Sequence, residues 1–186
     1  MLRLACDTAG MDIDYDRFDR AAAAIVALRP RVEAGEPWPL SAAYGVEPES
    51  SWGPKEVLAH LVEMIPYWTR QVEAIVEPEG GEPVPFGRVA SDAARIERIG
   101  TDRALPAAEL FDRFAAEVEA ATGSLRAVPN EDGRRVGVHP RLGEMSAAQI
   151  PDRFIIGHLE EHAEQLGGLL GDMPEANTGS GGRQPG

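Results

Sequence analysis

The sequence predicts an all-α protein, most simply a four-helix bundle, on three observations. Apolar residues recur at three- and four-residue spacings in four long stretches, the period of a one-faced helix. Segments rich in proline and glycine separate those stretches. Little in the chain reads as strand. Helices with one apolar stripe each bury it most simply against one another.

Helix 1 spans about residues 14–34, with Phe18, Ala22, Ile25, Val26 and Leu28 on its apolar face, and Pro30 is expected to kink or shorten its end. Residues 35–52 form a loop. Helix 2 opens at Ser51-Trp52-Gly53-Pro54-Lys55-Glu56. Pro54 suits a first turn, and Glu56 favours the positive end of the helix dipole. Its stripe is Val57, Leu58, Leu61, Ile65, Trp68, Val72 and Ile75, bent at Pro66. A long connection follows over residues 77–105, with a short helix as one option between Val89 and Ile99. So long a connection in a small helical domain crosses the bundle or lids a site. Helix 3 runs from about Pro106 to Ala127. Residues 128–145 form another loop, in which a short hairpin is an option. Ser146-Ala147-Ala148-Gln149 is a capping box that opens helix 4, which runs to about Leu170. The expected organisation is an arm at 1–13, a helical domain at 14–170 and a disordered tail at 171–186.

Composition narrows the function. The 186 residues suit one domain with a real core. The net charge is −13, and no lysine- or arginine-rich run stands out. That argues against nucleic acid or an anionic membrane, whose phosphates need a positive footprint. It fits a protein that handles small molecules. Cys6 is the single cysteine, so internal disulfides and cysteine-rich zinc sites are excluded. A reducing cytoplasm is the expected compartment. No apolar run approaches the ~18 residues of a membrane span, and no signal-peptide core is evident.

The chemistry-bearing stretch is Phe154-Ile155-Ile156-Gly157-His158-Leu159-Glu160-Glu161-His162-Ala163-Glu164-Gln165-Leu166. His158 and His162 lie four apart. On a helix that is about 400° of rotation, so the imidazoles share a face with Cβ atoms about 5–6 Å apart. One divalent metal with bonds near 2.0–2.1 Å takes both rings at that separation. Phe154, Ile155, Leu166 and Leu169 share the face, so the pair points towards a core, where unpartnered imidazoles are costly. A metal answers that cost, and so does a hydrogen-bond partner. His60, in helix 2, is the third candidate, since three imidazoles with an open position make a catalytic type of metal site. It sits at the margin of the apolar arc, and taken alone it reads as an interhelical hydrogen-bonding residue. His139, before Pro140, reads as structural or solvated. Gln165 lies between the paired histidines on the helical wheel and is a candidate to hold a ligand or a water, or equally a polar contact within the bundle. Glu161 is a candidate base beside the metal or a surface charge. His158-x-x-Glu161-His162 also matches a zinc-peptidase signature, but only 24 residues follow it, mostly tail, and a further acidic ligand is needed.

Three motifs in order resemble the DinB/YfiT-like superfamily: Trp52-x-Pro54 through His60-Leu61, His139-Pro140-Arg141-Leu142-Gly143, and His158-x3-His162-x2-Gln165-Leu166. The similarity spans roughly residues 14–170. It implies a four-helix bundle of up-down-down-up topology, with the long crossover between helices 2 and 3. It implies a divalent metal, zinc or nickel, on His60, His158 and His162, and often a homodimer. Characterised members include transferases and isomerases that use low-molecular-weight thiols. The Ala-, Arg- and Gly-rich composition suggests a high-GC source and hence mycothiol. The implied function is thiol S-transfer or isomerisation of small electrophiles, with the thiol activated by the metal. The rival is a bundle that binds a metal or ligand in a stress response without turnover.

Overall fold

The computed structural model describes residues 11–42, 44–45, 49–77 and 82–171. Most of the expected arm and nearly all of the expected tail lie outside these residues. The described chain is mostly helical, with one small sheet. Its helices are α1 (Tyr15–Ala27), α2 (Arg29–Ala34), α3 (Pro54–Val76), α4 (Ala93–Asp102), α5 (Ala107–Ala127), α6 (Gln149–Pro151) and α7 (Gly157–Gly171). Its strands are β1 (Val84–Pro85), β2 (Val136–His139) and β3 (Gly143–Ser146).

Local signals set most boundaries. Asp14 caps α1 by accepting from the Arg17 backbone N–H at 2.8 Å. The expected helix over 14–34 is two helices, because Pro30, which has no N–H to give, stands in the first turn of α2. Pro54 opens α3 after Gly53, and all seven residues of its expected stripe are buried. The option of a short helix in the crossover is α4, capped by Asp92. The last long helix begins later than expected. Ser146 still pairs in β3, although its N–H donates to Gln149 Oε1 at 2.9 Å, which is half of the capping box. Between α6 and α7 the chain makes a wide π turn over Asp152–Ile156, closed by the Gly157 N–H on the Asp152 carbonyl. Such turns concentrate at functional sites. This one ends two residues before His158.

The sheet is small, within the expectation of little strand. β1 pairs parallel to β2, with Val84 opposite Gly137, and β2 pairs antiparallel to β3, with Val136 opposite Ser146. The hairpin option is therefore the one taken. Strands of two to four residues are too short to display a period of two. Gly137 lets the sheet close onto α3, since a Cβ there would lie 2.6 Å from both Ile75 and Phe86.

α1 packs on α7 and α5, while α3 packs on α5, α4 and α7. Phe18, Ile25, Leu61, Ile65, Leu110, Phe114 and Leu166 are each 0% exposed. Each such side chain stabilises the fold by about 1.5–3 kcal/mol through burial. The Arg17 fork reaches across to both Glu160 carboxylate oxygens, at 2.7 and 2.6 Å, and fixes α1 against α7. None of the described helices is long and apolar enough to cross a membrane.

Candidate metal centre

Three segments deliver four donors to one point. α3 brings His60, α7 brings His158 and His162, and a single turn at Glu49–Ser51 brings Glu49. One ligand atom from each lies within 4.8 Å of the others. The ring centres of His60 are 5.8 Å from His158 and 5.1 Å from His162, and the pair on α7 is 5.6 Å apart. His60 thus joins the pair. Its position at the edge of the apolar arc mattered little, because α3 is enclosed all round there: Glu56 through Val62 are all buried.

The Nε2 atoms of His60 and His162 are buried and have no hydrogen-bond partner among the described residues. Both face Glu49 Oε2 at 3.8 Å. That is too long for a hydrogen bond. It is close to the ~3.4 Å that separates two donors on a tetrahedral ion with bonds near 2.0–2.1 Å. Two orphaned imidazole nitrogens and a carboxylate oxygen aimed at one point fit a divalent metal by donor type and by spacing. His158 completes the set from the mouth, its side chain 32% exposed.

Gln165 fixes the tautomer of His162. Its Nε2 donates to the Glu49 carbonyl at 2.7 Å and to the Trp52 carbonyl at 3.4 Å. Its Oε1 therefore faces His162 Nδ1, 2.8 Å away, which must be the N–H. The lone pair of His162 is then on Nε2, towards the centre. The same amide ties the turn carrying Glu49 to α7. His60 is less simply placed. Arg95 Nη2 lies 3.4 Å from its Nδ1, and accepting there would leave the proton on Nε2. That contact is at the long limit of a hydrogen bond, and Arg95 has nearer partners in Glu49 Oε1 and the Ala90 carbonyl. Metal binding through Nε2 requires the opposite tautomer.

Burial drives His60 well below the ordinary histidine pKa, helped by the neighbouring His162 and Arg95. Burial lowers His162 too, against the opposing Gln165 hydrogen bond. Both rings are neutral near pH 7, the form that binds metal.

Glu161 does not face the centre. Its side chain is 75% exposed and stands 3.8 Å from His158 Nδ1, at the rim. Glu49 is the residue that sequence reasoning missed. It sits in a loop dense in proline and glycine, and only the tertiary fold aims it at the histidines. His139 lies outside the cluster. It is buried, accepts from the Arg141 and Leu142 N–H groups, and stacks on Phe154, which itself lies 4.1 Å from Trp68.

Beside the histidines is a cavity of about 140 Å³. Trp68 and Phe154 give it an aromatic lining, and Arg88 and Arg95 also line it. Arg88 is held by Glu63 and lies over the Tyr67 ring, 3.7 Å from its centre.

Fold and site together define a class: a helical protein whose histidine-and-carboxylate cluster could hold a metal ion. The chain belongs to the DinB superfamily, whose family model matches residues 17–166. That range contains Glu49 and all three histidines. No curated protein matches the sequence.

Proposed function

We propose that this protein is a metal-dependent enzyme that joins a low-molecular-weight thiol, of the mycothiol type, to small electrophiles or uses it to isomerise them. The observation that carries the reading is the pair of buried, unpartnered Nε2 atoms facing Glu49 Oε2. A divalent ion, zinc or nickel, would be held by His60, His158 and His162 with Glu49. When bound, such an ion lowers the pKa of a thiol or water at an open position. The chain's own residues do the rest. His60 and His162 present neutral imidazoles from a dry interior. Gln165 keeps the His162 lone pair inward. The stacked Trp68 and Phe154 rings keep water from one side of the cavity and offer a flat face to a substrate. An up-down-down-up bundle, a homodimer and a cytoplasmic setting belong to the same proposal, supported by family membership and the single cysteine.

Glu49 favours a second reading. Three imidazoles and a carboxylate complete a four-coordinate shell, and a closed shell is typical of structural rather than catalytic metal sites. On that reading the chain binds metal without turnover. Steady-state assays of the zinc- and nickel-loaded protein with mycothiol and chlorodinitrobenzene separate the two. Turnover lost in His158→Ala supports the enzyme. Bound metal without turnover over several thiols and electrophiles supports the binding protein.

A further inference from the structure

We infer that the cavity beside the histidines takes a small carboxylate, bound through the Arg95 guanidinium in the place that Glu49 fills. This rests on the cavity being a substrate site, and it names the substrate class.

The two guanidiniums that line the cavity differ in what holds them. Arg88 gives both terminal nitrogens to the two oxygens of Glu63, at 2.6 and 2.5 Å, and stacks on Tyr67. It is a fixed part of the wall. Arg95 is 5% exposed and spends its donors unevenly. One terminal nitrogen bonds the Ala90 carbonyl, and the other bonds Glu49 Oε1 and grazes His60. A guanidinium has five N–H donors. The bonds to Ala90 and Glu49 leave part of that fork for a ligand, and Arg95 lines the cavity.

Glu49 shows what the position accepts. Its Oε1 accepts from the guanidinium, and its Oε2 stands 3.8 Å from two imidazole Nε2 atoms. It is carried on a three-residue turn rather than on a long helix, and its side chain is 29% exposed. A ligand carboxylate would meet the same guanidinium fork once Glu49 swings towards solvent. Charge agrees with this exchange. Arg88 is neutralised by Glu63, and Arg95 is left unmatched when Glu49 departs. The protein's net charge of −13 repels anions at long range, so the attraction must be local. The rest of the ligand is apolar and flat, because Trp68 and Phe154 stack at 4.1 Å and 11° along the same cavity. The cavity's 140 Å³ limits the ligand to a small molecule.

Calorimetric titration of the full-length protein with benzoate tests this, with benzamide as the neutral isostere, on both zinc-loaded and metal-free samples. Benzoate should bind and benzamide should not. Glu49→Gln removes the internal competitor and should tighten benzoate by about tenfold, the worth of one charge-assisted hydrogen bond. Arg95→Gln should weaken it by at least about tenfold. A gain in Glu49→Gln cannot come from misfolding, which protects the test if Arg95→Gln folds poorly. Benzoate that fails to bind, binds no better than benzamide, or binds Glu49→Gln no more tightly than wild type overturns the inference. The parent reading fails differently. Zinc is then not retained, while the metal-free chain still prefers benzoate in an Arg95-dependent way.

Discussion

Gln165 does two jobs with one amide. It orients His162 and anchors the turn bearing Glu49. Gln165→Ala should therefore loosen both donors at once. We expect zinc affinity to fall by about 10–100-fold, the usual range for groups that orient metal ligands, measured by competition with a chromophoric chelator. Stability of the metal-free chain should fall by about 1–3 kcal/mol, because buried groups lose partners. His60 and His162 set the response to pH. Both are held below the ordinary histidine value of 6.5, chiefly by burial. Below that value the unfolded chain binds more protons than the folded one, so stability falls with pH. The stability is intact above 6.5 and is lost as pH drops through the lowered folded values. The melting temperature of the metal-free protein should decline from pH 7 to pH 5. Its decline should be shallower in His60→Leu, which removes the buried base, and an equal slope would contradict this origin.

At the scale of elements, the crossover from α3 to α5 forms the cavity wall. It is pinned by Gly87, whose N–H donates to Gln71 Oε1 at 2.7 Å and whose φ is +84°. A Cβ there would strike the His139 ring at 2.3 Å. Gly87→Ala should destabilise the protein by roughly 2–4 kcal/mol, left-handed strain plus overpacking, seen as a lower urea midpoint. The same elements show what was legible in the sequence. The stripe of α3, its start at Pro54 and the i, i+4 histidines are local patterns, and they could be read. α4 was visible only as an option, because a ten-residue helix within a long connection carries few turns of pattern. The sheet was less legible still. Its pairing joins Val84 to Gly137, and nothing local records that contact. Glu49 was illegible for the same reason: a glutamate in a loop looks like every other solvated acid until the fold aims it.

For the whole molecule, the metal centre and the fold should stabilise each other. The donors come from α3, α7 and the Glu49 turn, so an ion held there cross-links α7 to segments roughly a hundred residues earlier in sequence. A ligand at a thousand times its Kd stabilises a folded protein by about 4 kcal/mol. For a domain of this size that raises Tm by roughly 10 °C. Chelator should reverse the rise, and scanning fluorimetry with and without zinc measures it.

The central claim is that His60, His158 and His162 converge with Glu49 on one ion. Metal content of tag-free protein, loaded with zinc or nickel and then dialysed, tests it most directly, with His60→Ala, His158→Ala and His162→Ala alongside. The account predicts about one metal per chain in the wild type and loss of that metal in all three variants. A wild-type chain that retains no metal, or a His60→Ala chain that retains it undiminished, would contradict it.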